Sequence, residues 1–365
     1  MEAALAGLLS PKLPMPKKSP SGVTPSRKKQ HVDITLTRDV SFKAKTTGLE
    51  DLEFINNALP EINLSEVDTS TQFLGKKLSL PFMVSCMTGG YADAQNINRQ
   101  LAEVCEEIGI AMGVGSQRQA MENSQYHRSF SVVREVATTI PIVGNIGAAE
   151  VASMSSTDAV RRLVDLVRAD AFAVHLNPLQ EFLQPEGNTD FRGVLSGIAR
   201  LVRDLNVPLI VKEIGAGISA DAARRLLDVG VRCIDVAGAG GTSWAGVESL
   251  RRTDGECASL FWDWGIPTAI AVRDVARLKS ERGNFTLIAS GGITSGIDAA
   301  KCIALGADIA ASARPVLSAL YRHKKNGMRS LLQGWSRDFR GVMFLTGCRT
   351  IAELQRAPLV SYKPA

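Results

Sequence analysis

The stretch richest in chemistry is Ala171-Phe172-Ala173-Val174-His175-Leu176-Asn177-Pro178-Leu179-Gln180-Glu181. An apolar run ends in an imidazole, two amides and a carboxylate, groups that can orient a polar ligand, hold a cation or move a proton. Each has a plain reading too: His175 as a core histidine with a partner, Glu181 as half of a salt bridge. Gln180 suits a hydrogen-bonding role better than an acidic one. A single carboxylate cannot cage calcium, but it can hold a magnesium ion that keeps its waters and takes other ligands from phosphates.

Further polar groups close other apolar runs. Ser290-Gly291-Gly292-Ile293-Thr294 and Ala313-Arg314 have the composition of a phosphate site, because glycine lets backbone N–H groups approach an oxyanion at a helix start. Lys212 ends residues 208–212 and needs an anionic partner or a lowered pKa, while its neighbour Glu213 could serve as a structural partner. In Met87-Thr88-Gly89-Gly90 and Gly144-Asn145, polar side chains stand among glycines and can meet the edge of a flat heterocycle. The segment Gly115-Ser116-Gln117-Arg118 adds a hydroxyl, an amide and a guanidinium fork that suits phosphate, carboxylate or solvent. No Ser-His-Asp arrangement, HExxH or Rossmann fingerprint is present.

Eight short apolar runs must position these groups: 80–86, 110–114, 141–145, 171–176, 208–212, 233–236, 286–289 and 308–311. Segments of helical period lie between them, such as 96–108, 159–168, 219–229 and 296–305. Eight βα units predict an α/β fold, a (β/α)8 TIM barrel, whose C-terminal strand ends carry chemistry. A doubly wound sheet is the alternative, since periodicity does not close a barrel. The connections 179–193 and 240–266 exceed ordinary loop length, which marks them as functional.

The chain has 365 residues, 45% of them hydrophobic and 22% charged, enough for one barrel-sized core. No apolar run is long enough to cross a bilayer, and the start lacks the apolar core of a secretory signal, so a cytoplasmic protein with no membrane partner is expected. The net charge of +5 resides in residues 1–30, which hold six basic side chains and one acid. The remainder is neutral and poor in aromatics, which argues against nucleic acid. Six cysteines without a CxxC pair suit a reducing compartment. Residues 1–26, rich in Pro, Ser and Lys, predict a disordered arm, with an Arg-poor transit peptide as the alternative. Residues 27–79 form an N-terminal segment packed on the barrel, with loops and a short helix over 51–74, and 80–365 form the barrel.

Taken together, Arg27-Lys28-Lys29-Gln30-His31, Met87-Thr88-Gly89-Gly90, Gly115-Ser116-Gln117-Arg118, His175 to Glu181, Val211-Lys212-Glu213, Gly240-Gly241-Thr242-Ser243-Trp244, Ser290-Gly291-Gly292-Ile293 and Leu345-Thr346-Gly347-Cys348 resemble the type 2, FMN-dependent isopentenyl-diphosphate isomerases. The likeness runs through residues 27–362 in order. It implies interconversion of isopentenyl and dimethylallyl diphosphate with reduced FMN, Mg2+, and NADPH or NADH as flavin reductant. It implies FMN contacts from Met87, Thr88, Gly89, Ser116, Asn145, Lys212 and Thr242, and flavin phosphate contacts from Gly292, Ile293, Thr294, Ala313 and Arg314. Substrate diphosphate falls to Arg27, Lys28, Ser116, Gln117, Arg118 and His175, and Mg2+ to Glu181. Gln180 is placed near the reacting end, and Asn177 beside it as a substrate or supporting residue. The reduced flavin is implied as the acid/base, with protein groups clamping the diphosphate. Homo-oligomers, tetramers or octamers, are implied as well.

One position departs from the pattern the resemblance implies: Ala237 stands where relatives usually carry Ser, so that one hydrogen bond toward the flavin is either missing or supplied by backbone instead. A flavin oxidoreductase of the 2-hydroxy-acid oxidase type shares the phosphate loops, but its His-Gly-Gly-Arg segment is absent after the sixth strand. Chemistry like that of IMP dehydrogenase needs a nucleophilic Cys in that loop, and Cys257 has no basic neighbour. A flavin-binding scaffold would leave Arg27, Lys28, Arg118 and Glu181 without a purpose.

Overall fold

A computed structural model describes residues 23–251 and 259–361. Eight parallel strands form a closed barrel in chain order: β1 (Phe82–Val84), β2 (Ala111–Gly113), β3 (Ile142–Gly147), β4 (Ala171–His175), β5 (Leu209–Lys212), β6 (Cys233–Asp235), β7 (Thr286–Ala289) and β8 (Ile309–Ser312). Every apolar run contributes its strand, and closure decides for the barrel over the doubly wound sheet. Six of the eight strands are buried throughout and the other two, β4 and β7, are less than fully buried at one end residue only, because the barrel interior covers one face and the surrounding helices cover the other. Met83, Ala111, Val143, Ala171, Ala173, Ile210, Ile288 and Ile309 fill the interior.

Helix boundaries follow local chemistry. Ser219 caps Ala220–Asp228 by accepting from the Ala222 N–H, and Ser295 caps Gly296–Ala304 by accepting from the Asp298 N–H. Ala94–Ile108 stops at Gly109, whose φ of 77° continues no helix.

Three features close the barrel's ends. At the bottom, the antiparallel hairpin Thr71–Phe73 and Lys76–Leu78 presses Phe73 and Leu78 into the interior core. Beside it, Glu53–Phe54 pairs with Leu359–Val360, joining early and late chain; residues 51–74 are thus built from short strands as well as a 3-10 turn, Leu64–Glu66. Over the top lies the arm helix, Val23–Thr37, which takes in the last four residues of the expected disordered arm. The rest of that arm, 1–22, lies outside the described residues. The helix has Pro25 in its first turn, where no N–H is needed. Among the described residues no helix is long and apolar enough to cross a membrane.

Candidate active site

The C-terminal strand ends open into a cavity of about 440 Å³. Strand register sets Gly147, His175, Lys212 and Asp235 in one row across β3 to β6. His175 Nδ1 lies 3.0 Å from Asn145 Oδ1. Burial, then the charges of Lys212 and Lys28, lower the His175 pKa to about 3, so its imidazole is neutral and offers a hydrogen bond rather than a charge. Lys212 Nζ donates to the Glu213 carbonyl at 2.6 Å and faces its register partner Asp235. Asp235 is itself buried and accepts from Ser290 Oγ at 2.6 Å, tying β6 to the loop after β7. The Glu213 carboxylate does not pair with Lys212. It accepts the N–H groups of Ile214, Gly215, Ala216 and Gly217 and so shapes the loop after β5.

One side of the cavity is made of backbone. Gly291 and Gly292 have φ of 99° and 72°, and a Cβ on Gly291 would run into the Gly238 carbonyl. The backbones after β6 and β7 meet there, and Thr242, Gly292, Ile293, Thr294, Ala313 and Arg314 all line this end. The Thr294 N–H is taken by Asp298 Oδ2 at 3.0 Å. Arg314 Nη2 donates to Ser41 Oγ at 2.9 Å, while its Nη1 is buried without a partner. Ala237, at φ 40°, lines the same wall.

The opposite side is made of charged side chains brought together by the arm helix and the two long connections. Pro178–Leu183 and Trp244–Arg251 are the helices inside those connections. Glu248, wholly buried on the latter, accepts from Gln180 Nε2 at 3.1 Å and Arg251 Nη1 at 2.6 Å, and lies 2.9 Å from His31 Nε2. His31 packs edge-on to Trp244, with ring centroids 5.3 Å apart. Arg27 lies 3.8 Å from Glu186, and Arg251 holds the same carboxylate at 2.8 Å. Lys28 Nζ donates to the carbonyls of Gly89 (3.0 Å) and Ser116 (2.6 Å), and burial, then Arg27, lower its pKa to about 7. Arg118 meets Glu150 at 2.9 Å and Glu122 at 3.2 Å. Asn177 Nδ2 donates to Gln180 Oε1 (3.2 Å) and Glu181 Oε1 (2.9 Å); Gln184 and the Asn188 N–H donate to Glu181 Oε2 at 2.8 and 2.7 Å.

Arg27, Lys28, Met87, Gly89, Ser116, Arg118, Asn145, His175, Asn177, Gln180, Glu181 and Lys212 therefore line one cavity. Two expected residues do not. Gln117 is fully buried and turns into the wall, donating to Leu163 O at 3.0 Å and accepting from Asn145 N at 3.1 Å. Thr88 is buried with its hydroxyl on Asn98 Oδ1. Both brace strand ends through the protein's own polar groups. Cys257 lies outside the described residues. Glu248, Glu150 and Asp235 escaped the sequence reading, since a lone carboxylate in a loop or at a strand end carries no spacing signal.

The glycine-rich loop after β7, Ala313 and Arg314 after β8 and a lysine at the end of β5 line the mouth of this barrel, and the sequence profile described as FMN-dependent dehydrogenase matches residues 21–361. Solved structures share the fold: a mandelate oxidase at TM-score 0.64 and 21% identity, covering 90% of this chain and 95% of that one, and a lactate oxidase of Pediococcus acidilactici at 0.65 and 16%, covering 93% and 94%. Sequence likeness is much stronger elsewhere. Isopentenyl-diphosphate delta-isomerase of Pelodictyon phaeoclathratiforme is 48% identical over 93% of this chain and 97% of its own length. Those of Chlorobaculum parvum and Methanothermobacter thermautotrophicus are 47% and 43% identical, over 92% of this chain in each case and 97% and 92% of their own lengths. Within the FMN-dependent dehydrogenase family, the chain belongs to the isopentenyl-diphosphate delta-isomerases.

Proposed function

We propose that the cavity interconverts isopentenyl and dimethylallyl diphosphate, with FMN on the backbone side and substrate on the charged side. The observation that carries this is the placement of Arg27, Lys28, Arg118 and neutral His175 around one space, with Glu181 at its edge. Such a cluster suits a polyanion and has no use in a scaffold.

The residues fit a flavin. The unpartnered Nη1 of Arg314 beside the glycine loops suits its phosphate, and Lys212 and Asn145 suit the polar edge of its ring. When bound and reduced, FMN supplies the acid/base chemistry of an allylic proton shift without net redox change. They also fit Mg2+. Three amide donors hold the Glu181 carboxylate, leaving its charge for a cation. Among the described residues no three His, Cys, Asp or Glu side chains could hold a metal, so a Mg2+ ion held by Glu181 would take its other ligands from water and phosphate.

The chain's own groups orient and shield. Glu248 aims Gln180 from behind, His31 ties the arm helix to the same carboxylate, and the arm covers the site and excludes water from a reaction with cationic character. Family likeness further supports NADPH as reductant and a cytoplasmic homo-oligomer.

Purified protein reduced anaerobically with Mg2+ converts isopentenyl diphosphate to its isomer; conversion by a flavin-free preparation would sink the reading. Glu181→Gln raises the Mg2+ requirement and leaves flavin bound, and an unchanged metal dependence would remove Glu181 from the metal site.

A further inference from the structure

Arg118 already has an anion. Its Nη1 lies 2.9 Å from Glu150 Oε1, while Glu122 holds its Nε at 3.2 Å. Glu150 stands three residues after β3 and reaches back over Gly147: a Cβ at Gly147 would collide with Glu150 Oε2 and would lie 3.2 Å from His175 Nε2. The same carboxylate interacts with the charges of Arg27, Lys28 and Glu181. An acidic group of the protein thus occupies the middle of the cation cluster assigned to the diphosphate, beside the carboxylate assigned to Mg2+. Glu122 touches Arg118 from outside and does not line the cavity.

We propose that Glu150 is a resident anion that holds Arg118 in the unloaded site and yields it to an incoming diphosphate, so that the site selects diphosphate that brings its own divalent cation. The inference rests on the diphosphate reading above. The Arg118–Glu150 pair is partly solvated, with side chains 29% and 20% exposed, so exchanging one anion for another on the guanidinium is close to an even trade. Once Arg118 turns away, Glu150 is left facing Glu181 and an added polyanion. Like charges at this range repel, and a divalent cation arriving on the diphosphate removes that penalty. A metal-free diphosphate, or a monoanion, does not.

The test is calorimetric titration of the FMN-loaded protein with inorganic pyrophosphate, with and without Mg2+, in the natural protein, Glu150→Gln and Glu122→Gln. Glu150→Gln is expected to bind metal-free pyrophosphate about tenfold more tightly, narrowing the gap between the two conditions, with Glu122→Gln changing affinity by about threefold at most. Unchanged or weaker binding in Glu150→Gln overturns the proposal, because Glu150 then only braces Arg118. Equal gains in both variants overturn it as well, reducing the effect to net charge. Failure of the natural protein to bind pyrophosphate under either condition overturns the diphosphate reading instead. If Glu150→Gln does not retain flavin, the structure of the natural protein with magnesium pyrophosphate decides: a parted Arg118–Glu150 pair supports the exchange, and an intact one refutes it.

Discussion

The two walls of the cavity are built from different materials. On the side of β7 and β8, loop backbones touch one another, and the space is set by glycines such as Gly291, where a Cβ would strike the Gly238 carbonyl. On the side of β2 to β4, carboxylates, amides and cations hold one another, and the arm helix joins in through Lys28 and His31. A wall of backbone has one shape, and it suits a cofactor that stays. A wall of exchangeable side-chain pairs suits a ligand that enters and leaves, because each protein–protein pair can be traded for a protein–ligand pair.

Substitutions on the two walls should separate these properties. The largest effect is expected from Glu248→Ala, which strips a buried carboxylate from Arg251, Gln180 and His31 at once. Breaking such a buried pair costs about 3–5 kcal/mol, read as a lower denaturation midpoint, and the arm should become accessible to protease while flavin stays bound. Loss of flavin together with the arm would erase the distinction between the walls. Gly291→Ala should cost about 2–4 kcal/mol through overpacking and φ strain, and here flavin retention should fail with the arm still seated.

Smaller changes sharpen the contrast. Arg314→Gln removes a charged donor from the phosphate end and should weaken FMN binding by about 1.5–3 kcal/mol, measured by fluorescence titration of the apoprotein. Ala237→Ser restores a hydroxyl to the same wall and should tighten FMN by about 0.5–1.5 kcal/mol. An unchanged dissociation constant would place position 237 out of the flavin's reach. The pH response belongs to the other wall. Burial lowers the His31 pKa from its ordinary 6.5, so as pH falls below that value the unfolded chain takes up a proton that the folded arm resists. Burial raises the Glu248 pKa, but the His31 hydrogen bond and the charges of His31 and Arg251 outweigh it, and the net shift is downward. Its contribution is therefore present near neutrality and lost on further acidification. Both act in one direction, so melting temperature should fall from about pH 7 to about pH 5, and His31→Gln should flatten the upper part of that fall. A natural protein whose melting temperature is level across this range would contradict the account.

The barrel was legible because each strand is a short, largely apolar run, the pattern a strand shows when both faces are covered. The groups closing those runs were legible for the same reason, since a polar residue at a strand's C-terminal end has the cavity before it. Gln117 and Thr88 mislead because strand ends also need bracing from inside the wall, and an amide or hydroxyl serves either purpose. The arm helix was hidden by its polar sequence: residues 27–37 alternate charge and apolar character without a helical stripe, and tertiary partners fix them. Glu248 could be found only by folding the chain, because its three partners lie on the arm, after β4, and one turn further along its own helix.

The pairing of Glu53–Phe54 with Leu359–Val360 bears on the order in which the protein is made. Residues 53–54 follow the segment that carries the arm, and their partner strand is synthesised after all eight barrel strands. The barrel can close around β1 to β8 while this seam is still open. The connection that carries the arm to the barrel mouth gains this anchor only after all eight barrel strands have been made. A nascent chain therefore completes the barrel before this seam closes, which leaves the cavity mouth unfastened until residues 359–360 are in place.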